Sequence, residues 1–110
     1  MTLSTHVLDT TQGRPAADMA ILLFARGQLL LEGRTNADGR CPATLALGLG
    51  RGCYTLRFGV ADYFRALGLV LPEPPFLDWV SIDFGIADPG AHHHVPLLVS
   101  PFAYSTYRGS

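Results

Sequence analysis

The sequence predicts an all-β fold, a sandwich or barrel of short strands with one short helix. Its 12 glycines and 8 prolines interrupt the chain at short intervals. The segments between them are rich in branched and aromatic side chains, which favour extended backbone. Many short strands separated by turn residues are typical of β-sandwiches and barrels. A chain of 110 residues has room for one domain, residues 1–110.

The first half of the chain consists of predicted strands and turns. LSTHVLDT is predicted as the first strand, and the turn signal TQGRP follows it. MAILLFAR and GQLLLEGRT are predicted to pair across Gly27, and the Asp-Gly of NADGR favours a turn with positive φ. CPATLALG and CYTLRFGV are two more predicted strands, on either side of LGRG.

The segment VADYFRALGLVLPEPP departs from this pattern. Its apolar residues at 60, 63, 64 and 67 have the spacing of one helix face. Gly68 suits a helix end, and the prolines in residues 72–75 prevent continuation. We therefore expect one short helix near residues 61–67, followed by an exposed, extended PEPP connector.

The last third returns to strand patterns. FLDWVSIDFGIAD alternates and places Trp79, Ser81, Asp83 and Gly85 on one face. HHHVPLLVSP and AYSTYR complete the set of predicted strands. Because alternate strand residues point to opposite faces, His92 and His94 are expected to share a face, with the intervening histidine pointing away.

Composition excludes several classes of function. The formal net charge is −1, all eight cationic side chains are arginines, and no basic patch supports electrostatic capture of nucleic acid. The longest apolar stretches are far shorter than the ~20 residues that cross a bilayer, and the N-terminus lacks signal-peptide features. We therefore expect a cytoplasmic protein with neither nucleic-acid nor membrane partners. The charged fraction of 15% beside a hydrophobic fraction of 48% indicates self-association.

The two cysteines, Cys41 and Cys53, allow one disulfide on count alone. A cytosolic chain with an adequate core has little need of one. The prediction is two reduced, partly buried thiols.

Histidine and arginine are the candidate chemical groups. A His-x-His pair on a strand holds zinc only if a third ligand joins it, and general acid–base catalysis and purely structural histidines are the alternatives. Arg40 is either a solvated loop charge or a clamp for a planar, oxygen-rich ligand. The terminal YSTYRGS is either a polar sheet edge or part of a site. No nucleophile elbow and no phosphate-binding glycine loop is present. Composition and spacing alone do not identify a substrate.

Three motifs together carry a family resemblance. LSTHVLDTTQGRPA, TNADGR and HVPLLVSPFAYSTYRGS resemble the transthyretin-like 5-hydroxyisourate hydrolases, in the same order and from about residue 3 to Ser110. The resemblance implies a sandwich of two four-stranded sheets with a short helix after the fifth strand. It also implies a homotetramer, a dimer of dimers, with active sites at the dimer–dimer interface and no metal or cofactor.

The resemblance also assigns site residues. It implies catalytic roles for His6, Arg40, His94 and Ser110, and substrate binding by His6, Arg40, Tyr107, Arg108 and Gly109. The implied reaction opens the ring amide of 5-hydroxyisourate to 2-oxo-4-hydroxy-4-carboxy-5-ureidoimidazoline, a step of urate catabolism. His6 and His94 would form the acid–base dyad, with the choice of base left open. His93 stands where the family usually has tyrosine, and Ala103 where it often has glycine.

Two other functions remain as alternatives. One is a non-catalytic carrier of a flat aromatic ligand on the same fold. The other is a metal-binding or structural interaction domain built around HHH.

For the hydrolase, Tyr107 and Ser110 differ in strand parity, so a bend at Gly109 is expected to bring both to one pocket.

Overall fold

The computed structural model describes residues 2–109, and its strands form two four-stranded sheets. The strands are β1 (Thr2–Asp9), β2 (Arg14–Pro15), β3 (Ala20–Ala25), β4 (Gln28–Arg34), β5 (Gly52–Gly59), β6 (Trp79–Ile86), β7 (His92–Val99) and β8 (Tyr104–Thr106). One sheet has the order β2-β1-β7-β8 and the other β4-β3-β5-β6. One helix, α1 (Val60–Ala66), follows β5. The predicted sandwich with one short α-helix is confirmed.

The core lies between the two sheets and is built from alternate strand residues. On β1 the odd-numbered positions 3, 5, 7 and 9 are buried, while 4, 6 and 8 are only partly buried. Burial of each large apolar side chain contributes about 1.5–3 kcal/mol. The largest fully buried side chains are Phe58, Phe64, Leu3, Met19, Ile21, Leu23, Leu56, Ile86, Leu97, Val7, Val60 and Val99.

Two of the predicted turn and helix signals have the expected geometry. The hairpin between β3 and β4 turns at Arg26 and Gly27, whose φ values of 51° and 78° match the twist of the flanking strands. Helix α1 ends at Ala66 with Leu67 as its C-cap, and Gly68 follows with φ of 90°. The helix therefore begins one residue before the predicted range and ends one residue before its end.

The predicted strand in CPATLALG is wrong, because Pro42–Ala46 form a 3₁₀-helix. Pro42 lies in the first turn, where its missing N–H costs nothing. The single hydroxyl hydrogen of Thr44 is shared between the carbonyls of Leu3 and Cys41, which lie 2.8 and 3.0 Å from the oxygen, and this contact attaches the turn to β1. The strand that completes the first sheet is instead β2, which lies within the predicted TQGRP turn and pairs with the end of β1.

Both cysteines are free thiols, as predicted, but their environments differ. Cys41 is buried, and burial raises the pKa of its thiol. Cys53 is exposed on β5, so the expectation of partial burial is wrong for this residue. Across residues 2–109, no helix has the length and apolar character needed to cross a membrane.

Candidate active site

The outer face of the first sheet collects the predicted histidines. Strands β1 and β7 run parallel, with Ser4 opposite His94 and His6 opposite Pro96. Since the positions on either side of His6 and His94 face the core, these two side chains lie on the outer face. Both are partly buried, whereas His92 is exposed.

The middle histidine points to the opposite side, as predicted. His93 is 6% exposed, and its Nδ1 lies 3.2 Å from the carbonyl oxygen of Ala91. The identity of the side chain at this position therefore does not alter the outer face.

The TNADGR motif forms a tight turn that carries Arg40 to β1. The Asn36 side chain accepts hydrogen bonds from the N–H groups of Asp38 and Arg40, at 3.0 and 3.1 Å. Gly39 has φ of 75°, and its carbonyl accepts the N–H of Val7 at 2.8 Å. A Cβ at Gly39 would press against the Val7 carbonyl, so glycine is required for both reasons.

Arg40 then pairs with His6 through an antiparallel β-bridge. Bridged residues lie on the same face of a sheet, so the exposed Arg40 joins the histidine face. The turn chemistry of the motif, and not the arginine alone, therefore determines where this cation lies.

The C-terminal segment continues the β7–β8 pairing beyond the end of β8. Leu97 pairs with Thr106, and His94, three residues earlier, pairs with Gly109, three residues later. The Gly109 N–H donates to the His94 carbonyl at 2.8 Å. The register is the same at both pairs, and the bend expected to orient Ser110 concerns a residue outside the described range.

This register separates the predicted tail residues. Counting along the chain between these two pairs, Tyr107 comes opposite Pro96 and Arg108 opposite Val95, although neither residue belongs to a strand. Arg108 and Val95 line a cavity of about 230 Å³ at the sheet edge, which Tyr107 also borders. Ser110, a predicted catalytic residue, lies outside the described residues.

Gly109 is in contact with the imidazole of His94. A Cβ built at Gly109 would overlap with Cδ2 of His94 and would lie 3.0 Å from Cγ and 3.2 Å from Cβ of the same side chain. Gly109 takes no positive φ. The glycine is therefore needed for the space that it leaves to the histidine ring.

Ser4 is a member of the site to which the family resemblance assigned no role, although it lies within the LSTHVLD motif. Its hydroxyl lies 2.7 Å from Nδ1 of His94 and 2.9 Å from Nε2 of His92. The signal that could have found it is parity, because Ser4 lies two residues before His6 on the same strand face.

The environment of His94 disfavours its protonated form. Burial lowers the pKa of His94 below its ordinary value of 6.5, and the positive charge of Arg40 lowers it further. The charges of His6 and His92 act in the same direction, while a hydrogen bond with the backbone of Ser4 partly opposes them. His94 is therefore neutral near pH 7, the form in which imidazole can accept a proton.

The same side chains do not form a cation site. Within residues 2–109, no group of three or more His, Cys, Asp or Glu side chains is placed to hold a metal ion. His92 and His94 share the Ser4 hydroxyl instead. The arrangement is chemically suited to proton transfer by histidine beside a fixed cation.

A model of the HIUase/Transthyretin family matches residues 3–109. The chain belongs to this family. It is 57% identical to the 5-hydroxyisourate hydrolase of Ralstonia nicotianae, over 98% of this chain and 97% of the relative.

Two solved structures of family members have the same fold. The 5-hydroxyisourate hydrolase of Klebsiella pneumoniae superposes with a TM-score of 0.86 at 39% identity, over 100% of both chains. Sea bream transthyretin in complex with thyroxine also gives a TM-score of 0.86, but at 25% identity, over 99% of this chain and 95% of that one. Within the family, the chain is therefore more similar in sequence to these hydrolases than to this thyroxine-bound member.

Proposed function

We propose that this chain, acting as a single domain of residues 1–110, hydrolyses 5-hydroxyisourate to 2-oxo-4-hydroxy-4-carboxy-5-ureidoimidazoline. The observation that carries the proposal is the placement of His6, His94 and Arg40 on one sheet face, in a member of a family whose relatives include named 5-hydroxyisourate hydrolases. The reaction adds water across a ring amide, which breaks the carbon–nitrogen bond and needs neither a redox partner nor a cofactor.

The two histidines supply the proton transfers that amide hydrolysis requires. One imidazole takes a proton from the attacking water, whose oxygen bonds to the amide carbon. The other orients that water or returns a proton to the leaving nitrogen. General acid–base catalysis of this kind contributes about 10²–10⁴-fold to the rate. His94 suits proton acceptance because its lowered pKa keeps it neutral.

Arg40 supplies positive charge where negative charge develops on the attacked carbonyl oxygen. A guanidinium donates paired hydrogen bonds to planar, oxygen-rich molecules, and here it also holds the substrate. In this proposal the Tyr107 hydroxyl binds a ring heteroatom, and Gly109, which contacts the His94 ring, forms part of the pocket wall. Substrate binding by Arg108 and catalysis by Ser110 remain predictions from the family motif.

The proposal includes a homotetramer with its active sites at an interface formed by the histidine face. Leu8 and Leu98 lie partly exposed on the same outer face as the histidines, which favours coverage by another copy. Strands β6 and β8 are edge strands of their sheets, and both border the same cavity. A second chain could therefore pair with both edges and extend both sheets. Light scattering should give four times the chain mass of 11.9 kDa.

We also place the protein in the cytoplasm. The free thiols of Cys41 and Cys53 are in keeping with a reducing compartment. Fractionation of the native host, with the chain detected by antibody, tests this location.

The testing experiment follows freshly generated 5-hydroxyisourate by ultraviolet absorbance, with circular dichroism to detect a chiral product. The wild-type protein should accelerate decay, and His6→Ala and His94→Ala should each lower the rate at least about 10²-fold while remaining folded. Ser81→Ala, on the other sheet, should leave the rate unchanged. A carrier of flat aromatic ligands would bind the compound without accelerating its decay, and that result would refute the proposal.

A further inference from the structure

The hydroxyl of Ser4 bridges two histidine rings on the outer face of the first sheet. It lies 2.7 Å from Nδ1 of His94 and 2.9 Å from Nε2 of His92. A serine hydroxyl has one hydrogen to donate, so it cannot donate to both ring nitrogens. At least one of the two nitrogens must therefore carry a proton and donate to Ser4.

The direction of these bonds determines what His94 can do. If Nδ1–H of His94 donates to Ser4, Nε2 carries a lone pair and acts as a base. If Ser4 donates to Nδ1, Nε2 of the neutral ring carries the proton and acts as an acid. Because Nδ1 of His94 is hydrogen-bonded to Ser4, Nε2 is the ring nitrogen available to contact substrate or water.

The surroundings favour the lone pair on Nε2. The charged and titratable groups that act on His94 are Arg40 from the turn after β4, His6 from β1 and His92 from β7. A permanent guanidinium charge attracts a lone pair and repels an N–H dipole. The ring is also confined on its Cδ2 side by Gly109, so its orientation is restricted from two directions.

We propose that Ser4 is a positioning residue that accepts the Nδ1–H of His94, donates its own proton to Nε2 of His92, and so makes His94 the general base. The catalytic part of this inference rests on the proposed function and decides between the two histidines of the dyad. Water then transfers one proton to Nε2 of His94 as its oxygen bonds to the amide carbon. His6 is left to orient that water or to protonate the leaving nitrogen.

The tautomer can be read without any substrate. In ¹⁵N-labelled wild-type protein at a pH where the rings are neutral, long-range proton–nitrogen correlation spectra should show His94 protonated at Nδ1 and bare at Nε2. In Ser4→Ala the Nδ1-protonated form should lose its predominance, and in Ser4→Thr, which keeps the hydroxyl, it should persist. The His94 signals are assigned as those missing from the spectrum of His94→Gln. A wild-type ring protonated at Nε2, or a tautomer unchanged in Ser4→Ala, would overturn the inference.

Measurements of kcat and KM distinguish a positioning role of the Ser4 hydroxyl from a purely structural one. Loss of one neutral hydrogen bond to the base should lower kcat about 3- to 10-fold in Ser4→Ala with KM nearly constant, and Ser4→Thr should recover most of it. Ser81→Ala is the matched control, because its hydroxyl also makes a side-chain hydrogen bond on a strand, to Arg57, but in the other sheet.

An equal loss of kcat in Ser4→Ala and Ser4→Thr would refute positioning by the hydroxyl. Absence of wild-type hydrolysis would refute the proposed function, and the spectra would still decide whether Ser4 controls the His94 tautomer. The two failures are therefore distinguishable.

Discussion

Gly109→Ala tests whether the C-terminal strand positions the His94 ring. The added methyl group would overlap with Cδ2 of His94 and lie 3.0 Å from Cγ, where an ordinary carbon–carbon contact is 3.4–4 Å. Restoring that contact requires the imidazole to move by about 1 Å, because the Gly109 backbone is held to the His94 carbonyl by a 2.8 Å hydrogen bond.

The expected loss follows from this displacement. Misplacement of a catalytic group by about 1 Å can cost about 10²-fold in rate, so kcat/KM of Gly109→Ala should fall by about two orders of magnitude. Stability should change little, since the ring lies on the outer face and can swing away from the methyl group. The assay is the initial rate of 5-hydroxyisourate decay, with thermal unfolding measured on the same samples.

Gly85→Ala is the matched control for this variant. Gly85 is also a strand glycine without positive φ, and a Cβ there has no atom within 4 Å. It should keep wild-type activity. A Gly109→Ala protein with kcat/KM within about threefold of wild type would refute the positional role of Gly109, since a ring displaced by about 1 Å should cost far more.

Two further predictions concern the low-pH side of the pH–rate profile, its acid limb, and the stability of the fold. Because the base must be unprotonated and the pKa of His94 lies below 6.5, kcat/KM should fall only as the pH drops below that value. Arg40→Gln removes one cause of the lowered pKa, so its acid limb should move to higher pH. Tyr63→Phe should destabilise the protein by about 1–3 kcal/mol, because the Tyr63 hydroxyl donates at 2.9 Å to the fully buried Asp9 carboxylate, which would lose a partner.

The controls for these predictions differ. The pH profile of Arg34→Gln, an exposed arginine on β4, should match that of the wild type. An acid limb that stays in place or moves down in Arg40→Gln would contradict the electrostatic coupling to His94. Tyr104→Phe, at an exposed position, should change unfolding free energy by no more than about 0.5 kcal/mol at equal protein concentration. A Tyr63→Phe protein as stable as this control would show that the bond to Asp9 contributes nothing.

Strand periodicity and turn chemistry were sufficient to predict much of the fold. Alternation separates the two faces of β6 and β7, and it correctly placed His93 away from His94. The Asp-Gly turn and the helix end at Gly68 depend on local φ preferences that single residues carry.

The two errors in the fold have different causes. Pro42–Ala46 carry a strand-like apolar pattern but form a 3₁₀-helix, because Thr44 hydrogen-bonds to the β1 backbone far away in the chain. Cys53 has the same strand parity as Thr55 and Arg57, on the face of β5 opposite to its buried residues, so alternation itself indicates the exposure of this thiol.

The candidate site was only partly predictable because it depends on contacts between distant parts of the chain. The motifs identify His6, Arg40 and His94, yet the parallel pairing of β1 with β7 is what brings Ser4 opposite His94. Nothing in the spacing of Ser4 and His94, 90 residues apart, encodes this contact. The close approach of Gly109 likewise depends on the register of the C-terminal strand.

The most direct test of the central claim is the initial rate of 5-hydroxyisourate decay measured for the wild type, His6→Ala, His94→Ala and the double variant. If the two histidines act as one unit in hydrolysis, each single variant should lose at least about 10²-fold and the double variant little more than the worse single. Wild-type decay no faster than that of the free compound would contradict the account, and so would single variants that retain near-normal rates.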